Sequence, residues 1–322
     1  MWAALFPGQG SQTIGMGRFY YEQFQTARRL FESASDELKI NFKKLCFEGP
    51  EEELTLTQNA QPAIVLVSCT AWFCLAEETD INFLKYCAGH SVGEYSAMVA
   101  AGVLPLNSAL RAVRQRGLYM SECCPPGEGG MSALIGPSPK EAKSFCQWVE
   151  KESGHTPLET ANFNSPEQTV LSGSSRALDW AKKHYQKYVF SSAKVRLIPL
   201  KVSAPFHSSL MEPARKKMNT FLHTLSFKTP NKLIVQNTVA KTENEPEILR
   251  NNLIEQVKAP VSWLQSIQYL IEQGCHSFLE LGEGKVLSSL MKKIDSSKTI
   301  AHFHSLDDLQ KLKNITPWRS IK

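Results

Sequence analysis

A serine that could act as a nucleophile lies between two glycines at residues 89–93, in the sequence Gly-His-Ser-Val-Gly. This is the pattern G-x-S-x-G, whose glycines allow a sharp turn between a strand and a helix. The turn exposes the Ser91 hydroxyl at the N-terminus of the helix, where the helix dipole and the backbone N–H of Val92 can stabilise an oxyanion. A pattern with only three fixed positions also occurs by chance in many proteins. The strand predicted before this one and the helix predicted after it are therefore what favour a nucleophilic serine.

A nucleophilic serine needs a base, and the histidines differ in their surroundings. His207 follows the predicted strand 195–202 and lies in the predicted turn 203–208, from which a side chain can point into a cleft. The other candidates lie in polar or helical stretches, typical of surface or hydrogen-bonded core positions: His155, His184, His223, His276, His302 and His304. The sequence therefore favours His207, while the many acidic residues between 91 and 207 leave a third member unassigned.

Arg116 places a positive charge on the apolar side of a helix predicted over residues 107–124. It shares one stripe with apolar residues at helical spacing, namely Ala109, Val113 and Met120. A guanidinium there stays ionised and needs an anion, ideally a carboxylate held by two hydrogen bonds. The alternative is an arginine that extends to the surface and pairs with a local acid such as Glu122.

Residues 6–12 form a predicted strand end followed by a glycine-rich loop. The loop has neither the P-loop lysine nor the strict G-x-G-x-x-G pattern, so it does not predict a nucleotide site. A loop of this kind can still offer a backbone N–H as a second oxyanion donor.

The elements that would position these residues alternate between strands and helices. Strands are predicted for four short runs: 1–6, 83–88, 233–238 and 277–281. The first is apolar throughout and is expected to be buried. A smaller α+β unit is predicted from strands 131–135 and 169–172, with helices 139–151 and 175–188. The run 195–202 is assigned as the first strand after this unit, where the α/β pattern resumes.

Composition indicates an ordinary globular chain of 322 residues, with 42% hydrophobic and 21% charged residues. These values exclude the disordered, collagen-like and coiled-coil classes. The length favours one large domain with a smaller one added. The net charge of +5 is mild and the basic residues are scattered, so nucleic acid is not an expected partner.

The eight cysteines form no CxxC pair and no zinc-like spacing, so we expect buried thiols in a reducing cytosol and no metal site. Only five residues precede Phe6-Pro7-Gly8, too few for a signal peptide. No apolar stretch is expected to reach the roughly 20 residues that cross a bilayer. These features predict a cytoplasmic protein that does not bind membranes.

Ten short motifs follow one another along the chain up to about residue 294. They are FPGQGSQ (6–12), QPA (61–63), GHSVGEYSA (89–97), AGV (101–103), RQRGLYM (114–120), NFNSPEQTVLSG (162–173), VSAPFHSSLM (202–211), QN (236–237), EQVKAPVSW (255–263) and ELGEGKVLSSL (280–290). As an ordered set they closely resemble the malonyl-CoA:acyl carrier protein transacylases. That family includes stand-alone enzymes of fatty acid synthesis and free-standing acyltransferases that serve polyketide synthases.

The resemblance implies an α/β fold with a large α/β-hydrolase-like domain and an inserted ferredoxin-like subdomain. The large domain would comprise residues 1–126 and 196–294, and the subdomain residues 127–195. Residues 295–322 would form a C-terminal extension outside the family core.

The resemblance also implies a catalytic role for each matching position. Ser91 would attack the thioester of malonyl-CoA, and His207 would take its proton and later activate the thiol of the carrier's phosphopantetheine arm. The backbone carbonyl of Gln256 would orient the histidine in place of an aspartate. The backbone N–H groups of Gln9 and Val92 would form the oxyanion hole.

The substrate contacts follow in the same way. Arg116 would hold the free carboxylate of the malonyl group, and the ring of Phe206 would crowd an α-methyl branch and so disfavour methylmalonyl units. Asn162, with Asn164 and Ser165, would lie on a loop at the edge of the cleft. The alternative for these three is that they are polar loop residues that satisfy their own backbone.

The implied activity is a ping-pong acyltransferase, expected as a monomer, with malonyl-CoA and an acidic holo carrier protein as substrates and no bound cofactor. One alternative is a hydrolase of the same fold that clears stalled acyl groups, and another is a non-catalytic carrier-docking module. Arg116 favours transfer, because a hydrolase of that kind needs no carboxylate clamp. Basic clusters at 182–183, 215–217 and 292–293 could steer the carrier, or be solvated helix faces.

Overall fold

The fold is taken from a computed structural model that describes residues 1–125 and 127–314. Ten strands are described: β1 Trp2–Phe6, β2 Leu84–Gly89, β3 Gly129–Ile135, β4 Leu158–Ser165, β5 Gln168–Ser174, β6 Arg196–Pro199, β7 Leu233–Val235, β8 Thr242–Glu243, β9 Ser277–Glu280 and β10 Thr299–His302. The described α-helices are α1 Arg18–Gln23, α2 Gln25–Leu38, α3 Phe42–Phe47, α4 Glu51–Thr55, α5 Thr57–Glu78, α6 Gly93–Ala100, α7 Leu106–Glu122, α8 Pro139–Ser153, α9 Ser175–His184, α10 Glu212–Leu222, α11 Pro246–Gln256, α12 Trp263–Glu272, α13 Val286–Ile294 and α14 Leu306–Lys313.

The main sheet has six strands in the order β10-β9-β1-β2-β7-β8. All neighbours are parallel except β7 and β8, which are antiparallel. All five residues of β1 are buried, as expected for a strand covered on both faces. The carboxyl ends of β1, β2 and β7 lie side by side at one edge of the sheet, which is where open α/β sheets build their sites.

The small sheet is antiparallel, with the order β4-β5-β3-β6, and α8 and α9 pack on it around a separate core. Two β-α-β units arranged in this way give the ferredoxin-like topology that the family resemblance implied. The fourth strand corrects the assignment of the run 195–202. Residues 196–199 pair with β3 and so belong to the small sheet, although the predicted boundary at residue 195 placed them in the large domain.

The C-terminal segment was expected to lie outside the family core from residue 295. Strand β10 instead pairs in parallel with β9 over four residues and forms the edge of the main sheet. The buried residues Leu309 and Leu312 attach α14 to the main core. The described part of this segment is therefore part of the fold, and residues 315–322 lie outside the described residues.

Helix α5 corrects the expectation that no apolar stretch is long enough to cross a bilayer, since by length and composition it passes that test. It spans 22 residues, and 83% of its most apolar 18-residue stretch is buried inside the fold. It packs against α2, α6 and α7, so it serves as a core helix that is apolar on almost every face.

Candidate active site

Ser91 lies on the sharp turn between β2 and α6, with a backbone φ of 51°. The two glycines of the motif are required by close packing. A Cβ on Gly89 would lie 2.0 Å from the carbonyl carbon of Gly93, and one on Gly93 would lie 2.3 Å from the carbonyl oxygen of Phe6. Only glycine fits at either place, and the result is a serine raised above the end of the sheet at the start of a helix.

Asn237 holds this strained serine in place. It follows β7, the neighbour of β2, and its Oδ1 accepts a hydrogen bond from the backbone N of Ser91 at 2.8 Å. Its Nδ2 donates to the carbonyl oxygen of Gly89 at 2.7 Å. A left-handed backbone at a residue other than glycine costs free energy, and these two bonds to one buried side chain stabilise it.

His207 lies opposite the serine, with Nε2 2.7 Å from Ser91 Oγ. Its Nδ1 lies 2.8 Å from the carbonyl oxygen of Gln256 and 3.1 Å from that of Ala259. Carbonyl oxygens only accept, so Nδ1 carries the proton and Nε2 is left to accept from the serine hydroxyl. His207 also has a left-handed backbone, with φ of 57°, within the turn that the sequence predicted.

The environment keeps His207 neutral. Burial, followed by the positive charge of Arg116, lowers the pKa of His207 from 6.5 to about 3, and the hydrogen bond to Gln256 opposes this shift. An imidazole with so low a pKa is unprotonated at neutral pH and is free to accept a proton.

Arg116 is buried on α7, and its guanidinium also reaches the hydroxyl of Ser91. Its Nη1 donates to Gln61 Oε1 at 2.9 Å, and its Nη2 donates to Gln256 Oε1 at 3.1 Å. Nη2 also donates to Ser91 Oγ at 3.1 Å. The cation therefore lies one hydrogen bond from the candidate nucleophile.

The hydrogen-bond partners of Arg116 are neutral. None of the ion pairs found among residues 1–125 and 127–314 includes it, and its buried Nε has no hydrogen-bond partner among those residues. The alternative partner Glu122 pairs with Lys217 at 3.0 Å. Burial lowers the pKa of the Arg116 guanidinium, which nevertheless stays ionised. A buried cation with no carboxylate in contact is suited to an anionic ligand, because the charge of Glu94 balances it only from a distance.

A cavity of about 450 Å³ opens over this group, between the end of the main sheet and the small sheet. Its lining includes six of the eight residues assigned from the sequence, which are Gln9, Ser91, Arg116, Asn162, Phe206 and His207. The other two are Gln256, which touches the cavity residues through the bonds above, and Val92, the buried N-cap of α6. Gln9 follows Gly8, where a Cβ would lie 2.4 Å from the carbonyl oxygen of His90, so this loop packs directly on the serine turn.

Asn162 corrects the expectation of a loop at the edge of the cleft. It lies on β4, forms a bridge to Val261 and is buried at the cavity wall. Asn164 of the same strand lies 2.9 Å through Oδ1 from Nε2 of His90. Ser165 is also buried on β4. The small sheet thus supplies polar groups directly to the cavity.

Sequence reasoning did not identify the roles of three buried residues, Gln61, Glu94 and Asn237. Each lies in one of the ten motifs quoted above, and that position is the sequence signal that could have pointed to it. All three act through partners that are distant along the chain. Among the residues that the structure describes, no group of three or more His, Cys, Asp or Glu is arranged to hold a metal ion.

Comparison with known proteins identifies the family. Residues 4–311 match the model of the acyl transferase domain. The chain belongs to the acyl transferase family. The malonyl CoA-acyl carrier protein transacylase of Bacillus subtilis strain 168 is 43% identical over 300 residues, covering 93% of this chain and 92% of that protein. The resemblance read from the motifs is therefore confirmed, and the family match reaches beyond the predicted core limit near residue 294.

Solved structures agree with this family assignment. The malonyl CoA-acyl carrier protein transacylase of Coxiella burnetii has a TM-score of 0.91 and 34% identity, covering 96% of each chain. A malonyl-transacylase in complex with its type II PKS acyl-carrier protein has a TM-score of 0.90 and 35% identity, covering 96% of this chain and 98% of that chain. The two-domain α/β architecture is thus the acyltransferase fold.

Proposed function

We propose that this chain is a malonyl-CoA:acyl carrier protein S-malonyltransferase that works through a malonyl ester on Ser91. The observation that carries the proposal is the buried, ionised Arg116 beside the Ser91–His207 pair. A thioester substrate whose acyl group ends in a carboxylate would place that carboxylate against the guanidinium and its reacting carbonyl beside the serine. The relatives named malonyl CoA-acyl carrier protein transacylases support the same substrate class.

In the first half-reaction, Ser91 Oγ attacks the thioester carbonyl while its proton passes to Nε2 of His207. The carbonyl oxygen becomes an oxyanion, which the backbone N–H groups of Val92 and Gln9 stabilise. Collapse of this intermediate breaks the C–S bond, and the CoA sulfur takes the proton from His207. The malonyl ester remains on Ser91 and the base is neutral again.

In the second half-reaction, the phosphopantetheine thiol of the carrier gives its proton to His207 Nε2 and attacks the Ser91 ester. Collapse of the second intermediate breaks the ester C–O bond, and Ser91 Oγ recovers the proton. The low pKa of His207 keeps it available as a base in both halves. The carbonyl of Gln256 holds the imidazole in the required tautomer throughout.

Selectivity for the acyl group would come from both sides of the cavity. Arg116 would bind the malonyl carboxylate, so an acetyl group leaves the guanidinium without a carboxylate in contact. Phe206 and Asn162 line the cavity, where the ring of Phe206 would crowd an α-methyl branch. Ser91 and His207 supply the nucleophile and the base, so the proposed reaction uses no resident metal or cofactor.

The proposed second substrate is an acidic carrier protein. Among the three basic clusters, the one at residues 292–293 lies on α13, whose residues Val286, Leu287 and Leu290 line the cavity. Lys293 donates from Nζ to Oε1 of the cavity residue Gln168 at 3.2 Å. The positive charge at this mouth supports docking of the carrier here. A monomer in the cytoplasm remains our expectation, to be checked by sedimentation and by cell fractionation.

Intact-mass analysis with malonyl-CoA, with and without a holo carrier protein, tests the proposed function. We expect one malonyl adduct on Ser91, absent from Ser91→Ala, that moves to the carrier. Free malonate without loaded carrier would instead support the hydrolase of the same fold. An adduct formed only with another acyl-CoA would support acyl transfer through Ser91 but would show that malonyl-CoA is not the substrate.

A further inference from the structure

Glu94 is a fully buried carboxylate next to the active site that the proposed mechanism does not use. It lies in the first turn of α6, and its Oε2 accepts from the backbone N of Asn237 at 2.7 Å and from Gln256 Nε2 at 3.1 Å. Its Oε1 accepts from Gln236 Nε2 at 3.1 Å. All three partners donate, so the ionised carboxylate is the form that matches these surroundings.

The hydrogen bond from Gln256 fixes the direction of that side-chain amide. Nε2 of Gln256 donates to Glu94 and to the carbonyl oxygen of Ser91, the latter at 3.0 Å. Its Oε1 therefore points the other way, where it accepts from Arg116 Nη2 at 3.1 Å. The backbone carbonyl of the same residue accepts from His207. Gln256 thus connects the buried carboxylate to both the guanidinium and the base.

We propose that Glu94 is a positioning residue for malonyl transfer: by accepting from the Gln256 amide, it holds Gln256 Oε1 against Arg116 and keeps the guanidinium aligned for the acyl carboxylate. A reversed amide would turn N–H donors toward the N–H donors of Arg116, and the guanidinium would lose a partner. The inference rests on the proposed function, because the alignment matters only when a carboxylate-bearing acyl group is bound.

The groups that face Glu94 differ in charge. Those from the end of β7 and from α11 are the uncharged amides of Gln236, Asn237 and Gln256. From α7 comes the charge of Arg116, which lowers the pKa of Glu94. Tyr95 on the same helix is neutral, because burial raises its own pKa well above 10.0.

Protonation of Glu94 would disturb the alignment near neutral pH. Burial raises the pKa of Glu94 from 4.5 to about 7, and the hydrogen bonds from its partners oppose the shift. The protonated form presents an O–H to groups that donate, so the Gln256 amide loses its bond to Glu94. Its direction is then held only by the carbonyl oxygen of Ser91 at 3.0 Å and Oδ1 of Asn237 at 3.3 Å, which leaves Oε1 less firmly placed against Arg116. The ionised form is the active one, so malonyl transfer decreases as the pH falls through about 7. Titration of His207 does not account for this decrease, because its pKa is lowered to about 3.

The test compares Glu94→Gln with Glu280→Gln. Glu280 is an equally buried carboxylate that accepts from the backbone N of Leu287 and of Ser288, both at 2.9 Å, so it controls for the loss of a buried charge. Rapid-quench intact mass would give kcat/KM for formation of the acyl-enzyme from malonyl-CoA and from acetyl-CoA, between about pH 5.5 and about pH 8.5.

We expect wild type to show a decrease below about pH 7 with malonyl-CoA and not with acetyl-CoA. Glu94→Gln should lower kcat/KM for malonyl-CoA about 100-fold, the usual scale for a misplaced binding group, and abolish the decrease. Its kcat/KM for acetyl-CoA should change less than about threefold. Glu280→Gln should keep the wild-type ratio of kcat/KM for malonyl-CoA to kcat/KM for acetyl-CoA. It should also keep the wild-type pH profile, even if its free energy of unfolding is lower.

Gln256→Met provides a second test if Glu94→Gln does not fold, because it removes the amide and keeps the backbone carbonyl for His207. It should also lose the malonyl preference and the decrease below pH 7. The inference is overturned if Glu94→Gln or Gln256→Met folds and keeps both the malonyl preference and the decrease in activity at low pH. It is also overturned if kcat/KM of wild type for malonyl-CoA does not change with pH over the range measured. Absence of any malonyl adduct on wild-type Ser91 would instead reject the proposed function.

Discussion

Nη2 of Arg116 and Oγ of Ser91 are 3.1 Å apart, so the group that would select the acyl chain touches the atom that would receive it. The same guanidinium lowers the pKa of His207, the partner of that serine. Substrate selection and chemistry are therefore electrostatically coupled in a single buried cluster. A change at Arg116 should alter both the preference for malonyl groups and the properties of the base.

Replacement of Arg116 by alanine should lower kcat/KM for malonyl-CoA by about 100-fold or more, because a buried carboxylate without its partner is strongly destabilised. The kcat/KM for acetyl-CoA should be unchanged or raised. Arg111→Ala is the matched control, since Arg111 lies on the same helix and pairs at the surface with Glu37 at 3.1 Å. If the ratio of kcat/KM for malonyl-CoA to kcat/KM for acetyl-CoA is unchanged in Arg116→Ala, Arg116 does not bind the malonyl carboxylate.

Replacement of Phe206 by serine should increase the use of methylmalonyl-CoA. The ring is 7% exposed and lines the cavity next to His207, so its loss opens space for a methyl branch. Competition between the two acyl-CoA substrates, read by intact mass, measures the change. If malonyl loading is retained and the methylmalonyl share does not rise, selectivity is determined elsewhere in the cavity.

Replacement of Gly89 by alanine should displace Ser91, because the new Cβ would lie 2.0 Å from the backbone of Gly93. We expect about a 100-fold loss of acylation and a lower free energy of unfolding, by about 1–3 kcal/mol. Gly130→Ala is the control, because the nearest atom to its Cβ would be Leu178 Cδ1 at 3.4 Å. Equal behaviour of the two variants in urea unfolding and acylation would contradict the packing argument.

The stability of the protein should depend on pH through His207. The unfolded chain binds a proton at this residue below about pH 6.5, whereas in the folded protein the pKa is lowered to about 3. Folding is therefore disfavoured as the pH falls from about 6.5 toward 3, and His207→Gln lacks this loss. Between about pH 7.5 and about pH 5.5, wild type should lose about 1 kcal/mol relative to the variant in urea unfolding. A constant difference would show that His207 titrates normally in the folded protein.

The serine turn could be predicted from sequence because its signals are local. The apolar runs at 1–6 and 83–88 match β1 and β2 to within one residue, and glycines at 89 and 93 mark the turn. Arg116 could be placed on the buried side of α7 because helical spacing alone determines which face a residue occupies. The pairing of Ser91 with His207 was a hypothesis from chemistry, and the fold brings the two atoms within 2.7 Å.

Other features depend on contacts that no local pattern encodes. Strand β4 was missed because its polar residues face a polar cavity, so the alternation expected of a half-buried strand is absent. Strand β6 was assigned to the wrong sheet because its pairing with β3 joins residues more than 60 positions apart. The role of Glu94 was missed because its partners just after β7 and on α11 lie 142 to 162 residues away.

The central position of β1 has a consequence for biosynthesis. This strand is synthesised before both of its neighbours, yet it lies between β2 and β9, and β9 begins only at Ser277. Gln256, whose carbonyl orients His207, also emerges late. A nascent chain therefore carries its serine turn long before the base and the closing strand exist, so a competent active site forms only after β9 has been synthesised.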